Sequence, residues 1–571
     1  MTADHVLSAS TIVTMDPARP RATSVALDTA AGTIVAVGTL DECRAAAPGA
    51  RETDLGAAVL APGLIEPHGH PFVSGVATQP PAIWIAPYVG YPSWNDVQAL
   101  FRRCQTEQPP GVPLLFNGLD RLLQQAPEPD IELLDGFFPD RPVAVLDNSG
   151  HMAFFNTATA KLLGWEAAPP PDPVGAAFGR HADGTPDGRA SELAAVMAVI
   201  QPLMAQVVTH PLHSAAQFYA LMARGGITTT SDMTYSSAYL KGYEALASMP
   251  DCPLRVSLYH MSTEPDADEP LVSAVPEVLL RKQGIKLWAD GSPWVGSAAL
   301  TYPYLDTETV RTAGIPLGPS GTTTMNYSLE QLQDILARYV PSGWQMAFHV
   351  NGDAGLDVVL AAYQQVLERF GLLGSDHRWR VEHVGGARAE QFDRIADLGL
   401  YPSMSPFQFI YWGDLLDGTL FAPEIGSQWQ RFGDAERAGT CLSFHNDGSV
   451  TPPLPLLNIQ AAITRRTPSG TLHGPEQRIG LEQALAAHTV NAARTLRREH
   501  EIGSIEPGKL ADFVELSADP HQVDPTAFID QVAVLGTWRG GRRIDLGAFL
   551  AQVEAVDPSG HAHLAVPGHA C

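Results

Sequence analysis

Between residues 59 and 499 the chain alternates short apolar runs with amphipathic patterns, and nothing else in it restricts the fold as much. Strand-like runs fall at 113–117, 143–146, 227–230, 254–258, 285–288, 345–348, 380–382, 400–404 and 441–444. Helical patterns lie between several of them, at 329–339, 355–370 and 389–398. This order of elements predicts an α/β fold with a parallel sheet. The candidates slightly outnumber the strands of a (β/α)8 barrel, so one or two belong to insertions. Residues 166–190, rich in Pro and Gly, read as a long loop. The ends differ from the middle: residues 6–58 and 512–539 read as short strands separated by turns. The expected organisation is one composite β-domain from residues 1–58 and 500–550, a catalytic barrel over 59–499, and a flexible tail over 551–571.

Metal-capable side chains follow the apolar runs. The run Val59-Leu-Ala-Pro-Gly-Leu-Ile-Glu-Pro-His-Gly-His70 ends in two histidines two residues apart, which in a strand point to the same side. His349 follows Phe348, His383 follows Val381-Glu382, and His445-Asn446-Asp447 follows Ser443-Phe444. In a (β/α)8 barrel the C-terminal strand ends converge on one face, so residues far apart in sequence can share an ion. His68, His70, His349, His383 and Asp447 are therefore the candidate ligands of a divalent metal, zinc being the expected ion. Lys286, inside an apolar run, reads either as a solvent-seeking ammonium or as an inward group that must be paired or chemically altered. His561 and His563 repeat the H-x-H spacing with no strand before them, and His210 and His213 also lack one; none is expected to function.

Composition removes other classes. A formal net charge of -26, from 62 acidic and 36 basic residues, disfavours nucleic acid and anionic membrane as partners. Five scattered cysteines without a C-x-x-C spacing fit neither a disulfide framework nor a thiolate zinc site. No secretory signal or bilayer-length apolar run is visible, so the expected location is the cytoplasm. Phosphate-binding glycine fingerprints and a G-x-S-x-G elbow are missing.

Several motifs, taken in order, resemble the amidohydrolase superfamily, and within it amidohydrolase family 3, the YtcJ-like and AepA-like group that includes N-substituted formamide deformylases. They are Pro62-Gly-Leu-Ile-x-x-His-x-His70, Gly150-His151 with Asn156, and Gly226-Ile-Thr-Thr-Thr-Ser-Asp232. Lys286-Leu-Trp-Ala-Asp-Gly-Ser292, His349-Val-Asn-Gly-Asp353, Glu382-His383, Asp447 and Ile505-Glu-Pro-Gly-Lys-Leu-Ala-Asp-Phe513 complete the series, which covers nearly the whole chain. The resemblance implies a (β/α)8 TIM barrel with a small β-sandwich formed from both termini. It also implies that Lys286 is a carboxylated lysine bridging two metal ions, with His349, His383 and Asp447 completing the set. The chain departs from many relatives at His445-Asn446, where they carry Gly-Ser, and at Asn148-Ser-Gly-His151, where they carry Asp-Gly-His. These departures leave the substrate open.

The expected chemistry is hydrolysis of a C–N bond of the amide type in a small organic substrate by metal-activated water. Asp447 would act as general base and then general acid. His151 stands as a substrate-binding or a structural residue. Trp288, with Trp84, Trp294 and Trp412, would form an apolar wall or part of the core. The alternatives are deamination, ring opening of a cyclic amide, or a catalytically silent, metal-stabilised binding or regulatory protein. The expected partner is a small molecule, and a homo-oligomer is left open.

Overall fold

Eight parallel strands in sequence order form the central sheet of the computed structural model, which describes residues 3–557. They are β1 (Leu64–Glu66), β2 (Ile227–Tyr235), β3 (Arg255–Met261), β4 (Leu280–Trp288), β5 (Gln345–Val350), β6 (Arg380–His383), β7 (Tyr401–Met404) and β8 (Ser443–Phe444). Each hydrogen-bonds to the next, which leaves β1 and β8 at the two edges of a nearly closed barrel. A side chain bridges that seam: the Asn446 and Asp447 backbone N–H groups donate to Glu66 Oε1 at 2.6 and 3.1 Å, and Asn446 Nδ2 donates to Oε2 at 2.8 Å. Helices Asp353–Arg369, Ala389–Asp397 and Pro455–Thr464 follow β5, β6 and β8. Outward-facing residues such as Phe348, Val350 and Val381 pack in the apolar layer beneath them. The fold is an α/β TIM barrel, as expected.

Strands from the two chain ends share one sheet. In it Phe513–Leu516 pairs antiparallel with Val59–Pro62, which pairs in parallel with His5–Val13. Val59–Pro62, placed with the barrel by the sequence reading, therefore belongs to the terminal sheet. Pro62-Gly63 ends this strand, and β1 starts at Leu64 in the barrel. The tail reading also needs correction. Helix Leu546–Val556 runs through residue 551, and its Phe549 and Val553 are fully buried. The remainder of the expected tail, with His561 and His563, lies outside the described residues.

A third sheet is inserted between β1 and β2. Its strands run in the order Ala177–Arg180, Pro186–Ser191, Met152–Phe155, Val143–Asp147, Leu114–Leu119 and Ile83–Trp84. The surplus strand candidates at 113–117 and 143–146 fall here, while two strands interrupt the stretch read as a loop over 166–190. Pro and Gly there mark a hairpin turn around Gly184 at φ 91°. Helix Leu193–Val207 covers one face of this sheet with Ala195, Val199 and Leu203. Among the described residues no single helix is long and apolar enough to cross a membrane.

Candidate metal centre

His68 and His70 follow β1 into a cavity of about 420 Å³ at the C-terminal end of the barrel, also lined by Lys286, His349, His383 and Asp447. The ligand atoms of His68, His70 and Asp447 all lie within 4.8 Å of one another. The same holds for His68, His383 and His445. Lys286 is 1% exposed, with Nζ 3.4 Å from His68 Nε2, so the solvent-seeking ammonium is excluded. Period-2 alternation along β4 places Lys286 and Trp288 on the inner side together.

His383 reaches the cluster by a different route. Glu382 faces inward, its Oε2 2.6 Å from His68 Nδ1, so alternation alone would turn His383 outward. A left-handed backbone at His383 (φ 71°) and Val384 (φ 44°) re-aims the ring inward, 4.7 Å from that of His68 and 4.5 Å from that of His349. Asp447 is likewise left-handed, at φ 53°. Such conformations cost about 1–3 kcal/mol each and persist where the surroundings over-determine them.

Partners orient each ring. Glu382 holds His68 Nδ1, Thr234 Oγ1 lies 3.1 Å from His70 Nδ1, and Ser405 Oγ lies 3.0 Å from His383 Nδ1. For His68 and His70 the contact leaves Nε2, 3.5 and 3.1 Å from Asp447 Oδ1, as the atom presented to the centre. Burial, reinforced by neighbouring cationic groups, drives the pKa of His68, His349 and His383 well below the ordinary imidazole range, so they are neutral and able to ligate. Burial alone would raise the Asp447 carboxyl, but His70 and Lys286 work against it and the pKa lies below the ordinary value. Burial also lowers the Lys286 ammonium to about 8.

The residues fit a metal. His383 Nε2 is buried without a hydrogen bond. Asp447 Oδ1 lies 3.1 Å from His70 Nε2 and 3.5 Å from His68 Nε2, yet lacks the alignment of a hydrogen bond to either. Buried nitrogen and oxygen atoms without hydrogen bonds, on residues that line one cavity, are candidate donors for a divalent ion. His349 lines the same cavity: its ring stacks on Trp288 at 5.0 Å, and its Nε2 lies 3.3 Å from the Gly291 carbonyl.

His151 occupies the turn between strands Val143–Asp147 and Met152–Phe155, so the inserted sheet delivers it to the cavity. Its ring lies 4.8 Å from Trp288 and 5.0 Å from His349, and its Nδ1 is 2.8 Å from Glu192 Oε2. Burial opposes its charge, but Glu192 outweighs burial and raises its pKa. Of the four tryptophans considered, only Trp288 lines the cavity; Trp84, Trp294 and Trp412 are core.

Three contributors were not singled out by sequence. His445 stacks on His68 at 4.5 Å, held by Ser403 and Ser405 at 2.9 and 2.8 Å. Glu66 anchors the loop carrying Asp447, and Glu382 orients His68. A carboxylate ending an apolar run was the available signal for the two glutamates.

Comparison with known proteins agrees with this fold. The chain is 26% identical over 573 residues to Protein LONG AFTER FAR-RED 3 of Arabidopsis thaliana, covering 95% of this chain and 91% of that one. It is 26% identical over 527 residues to the N-substituted formamide deformylase of Arthrobacter pascens, covering 89% and 93%. An uncharacterized metal-dependent hydrolase from Pyrococcus horikoshii shares the fold, with a TM-score of 0.69 at 22% identity over 91% of this chain and 99% of that one. The model of the amidohydrolase family matches residues 51–545, from the terminal sheet through the barrel and back, and the chain belongs to that family of hydrolases.

Proposed function

We propose that the protein is a metal-dependent hydrolase that cleaves a C–N bond of the amide type in a small organic substrate. His68, His70, His349, His383 and Asp447 would hold the metal, zinc being the expected ion, with a second ion if Lys286 is carboxylated. The observation that carries this reading is the convergence of strand-end ligands on one cavity with His383 Nε2 and Asp447 Oδ1 unbonded. An unmodified ammonium at Lys286 has donors and no acceptor, so a carbamate is what would make it an oxygen ligand. Its lowered pKa favours the neutral amine that reacts with CO₂.

A bound divalent ion supplies Lewis acidity and a water whose pKa falls from 15.7 to roughly 7. Asp447 accepts a proton at its carboxylate and returns it to the leaving nitrogen. His151, held through Nδ1 by Glu192, donates a hydrogen bond to the substrate oxygen from the side of the inserted sheet. Glu382 and Ser405 keep their histidines in the ligating tautomer.

The test is a screen of linear amides, N-acyl amines and cyclic imides, with and without added zinc. Metal-dependent release of amine or ring-opened product is expected. No turnover of any class by fully metallated protein would point instead to a binding protein.

A further inference from the structure

The same cavity carries a second, uncharged set of polar groups on the side built by the inserted sheet. Asn117 lies near the C-terminal end of strand Leu114–Leu119, and Asn148 directly follows Val143–Asp147, the strand pairing with it in parallel. The two are 2% and 4% exposed, both line the cavity, and neither Nδ2 has a hydrogen bond. Tyr88 Oη lies 2.9 Å from Asn148 Oδ1 and also against the Val450 carbonyl, which fixes the side of Asn148 that faces away from the cavity's open space. Trp288 Nε1, on the barrel side of the cavity, is likewise buried and unbonded. None of the three takes part in holding the metal set. Buried N–H groups left unpaired cost free energy, so a site that keeps three is complementary to a hydrogen-bond acceptor.

The rest of the wall limits that acceptor's charge. Helix Leu193–Val207 presents Leu193, Met197, Ile200 and Met204 to the cavity at helical spacing. Among the described residues no arginine lines the cavity, and its one lysine is Lys286, beside His68. Its carboxylates are Asp447, Glu192 and Glu264. The cavity's cationic side chains, Lys286 and His70, lie at the metal ligands, and His151 is engaged by Glu192, so an anion beside the asparagines would meet amide donors alone.

We infer that Asn117 and Asn148 form a specificity subsite for an uncharged oxygen acceptor, so that the substrate is neutral, with an apolar body against helix Leu193–Val207 and a carbonyl-type oxygen at the two amides. This rests on the hydrolase reading for its reaction, but binding can be measured without turnover.

The experiment compares 5-phenylpentan-2-one, 5-phenylpentanoate and 5-phenylpentylammonium by calorimetry on the full, metal-loaded chain. The ketone should bind at least about tenfold more tightly than the carboxylate, and any contact of the carboxylate with metal works against that order. Asn117→Leu and Asn148→Leu should each weaken the ketone about tenfold with metal content unchanged. Asn117→Asp, which keeps the shape, should weaken the ketone and favour the ammonium probe, so misfolding of a leucine variant does not decide the outcome. Carboxylate or ammonium binding as tightly as the ketone to the parent, or ketone binding indifferent to all three substitutions, overturns the subsite. Ketone discrimination in a protein that hydrolyses nothing sinks the hydrolase reading and leaves the subsite standing. Amide hydrolysis with indifferent asparagine variants does the reverse.

Discussion

The two ends of the barrel use buried polar groups in opposite ways. At the N-terminal end charged side chains are paired with one another, although single atoms such as Arg281 Nε and Arg498 Nη1 lack a hydrogen bond. Arg255 at the start of β3 donates to both oxygens of Asp512 at 2.6 and 3.0 Å, tying the barrel to the terminal sheet. Tyr259 donates to Gln345 at 2.7 Å and accepts from Arg380 at 2.9 Å, and Arg380 meets Glu382 at 2.7 and 2.9 Å. Helix Val490–Thr495 closes this end with Ala492 and Ala493 against Tyr259 and Ile65. At the C-terminal end, His383 Nε2, Asp447 Oδ1 and Trp288 Nε1 are buried without partners, and all three residues line one cavity. At one end the unpaired atoms are scattered among ion pairs; at the other they belong to residues that line one cavity. The lesson is that comparable burial of polar groups gives rigidity where their partners are internal and a site where they are not.

Substitutions at the two ends should therefore separate activity from stability. The largest effect is expected from His68→Ala combined with His349→Ala: elemental analysis should find most of the metal gone and turnover abolished, while far-UV circular dichroism keeps the barrel signature. Undiminished metal would break the comparison at its upper end. Asp447→Asn should lower kcat by about 10²–10⁴-fold with metal retained in part, because the proton carrier is lost. Glu382→Gln, where the two ends meet, should weaken metal binding by about 10–100-fold in a chelator competition, since it replaces the charged acceptor that orients His68 with a neutral amide. Tyr259→Phe should cost about 1–3 kcal/mol in denaturant unfolding and leave metal content unchanged. A loss of metal in that variant would show that the ends are not separable.

The smallest effect is in pH. Burial works against the Asp512 carboxylate, but Arg255 outweighs it and holds its pKa below the ordinary 3.8. A depressed folded pKa contributes stability above the unfolded value of about 3.9, lost as pH falls through the folded one. The thermal midpoint of the parent should therefore fall below about pH 4 more steeply than that of Asp512→Asn, which starts lower. Parallel acid limbs would remove Asp512 from the lower network.

Much of this contrast was legible in the chain. His68, His70, His349 and Asp447 each follow an apolar run, and strand-end histidines in an alternating α/β pattern have few other places to go. His383 was legible as a residue but not as a geometry, because alternation along β6 points it outward and only the φ angles at 383 and 384 bring it in. Lys286 was undecided in sequence: an apolar stretch with one lysine suits an edge facing water as well as a barrel interior. The register of β4 against β5, with Lys286 opposite Ala347 and Trp288 opposite His349, places it inside. The inserted sheet was visible only as surplus strands, and its two hairpin strands within 166–190 were hidden by the Pro and Gly of the turns around them.

The sequence by itself determined the strand-and-helix order, the metal-capable residue types at strand ends and the acidic, cation-poor character, because periodicity and composition are local and additive. Only the tertiary structure decided which atoms share a space. Glu66 at the seam, Ser405 between His383 and His445, and Asn117 beside Asn148 depend on contacts between residues tens to hundreds apart in the chain. Such contacts follow from strand register and barrel closure, and no local pattern encodes those; the unpaired atoms they leave at one end of the barrel make it a site.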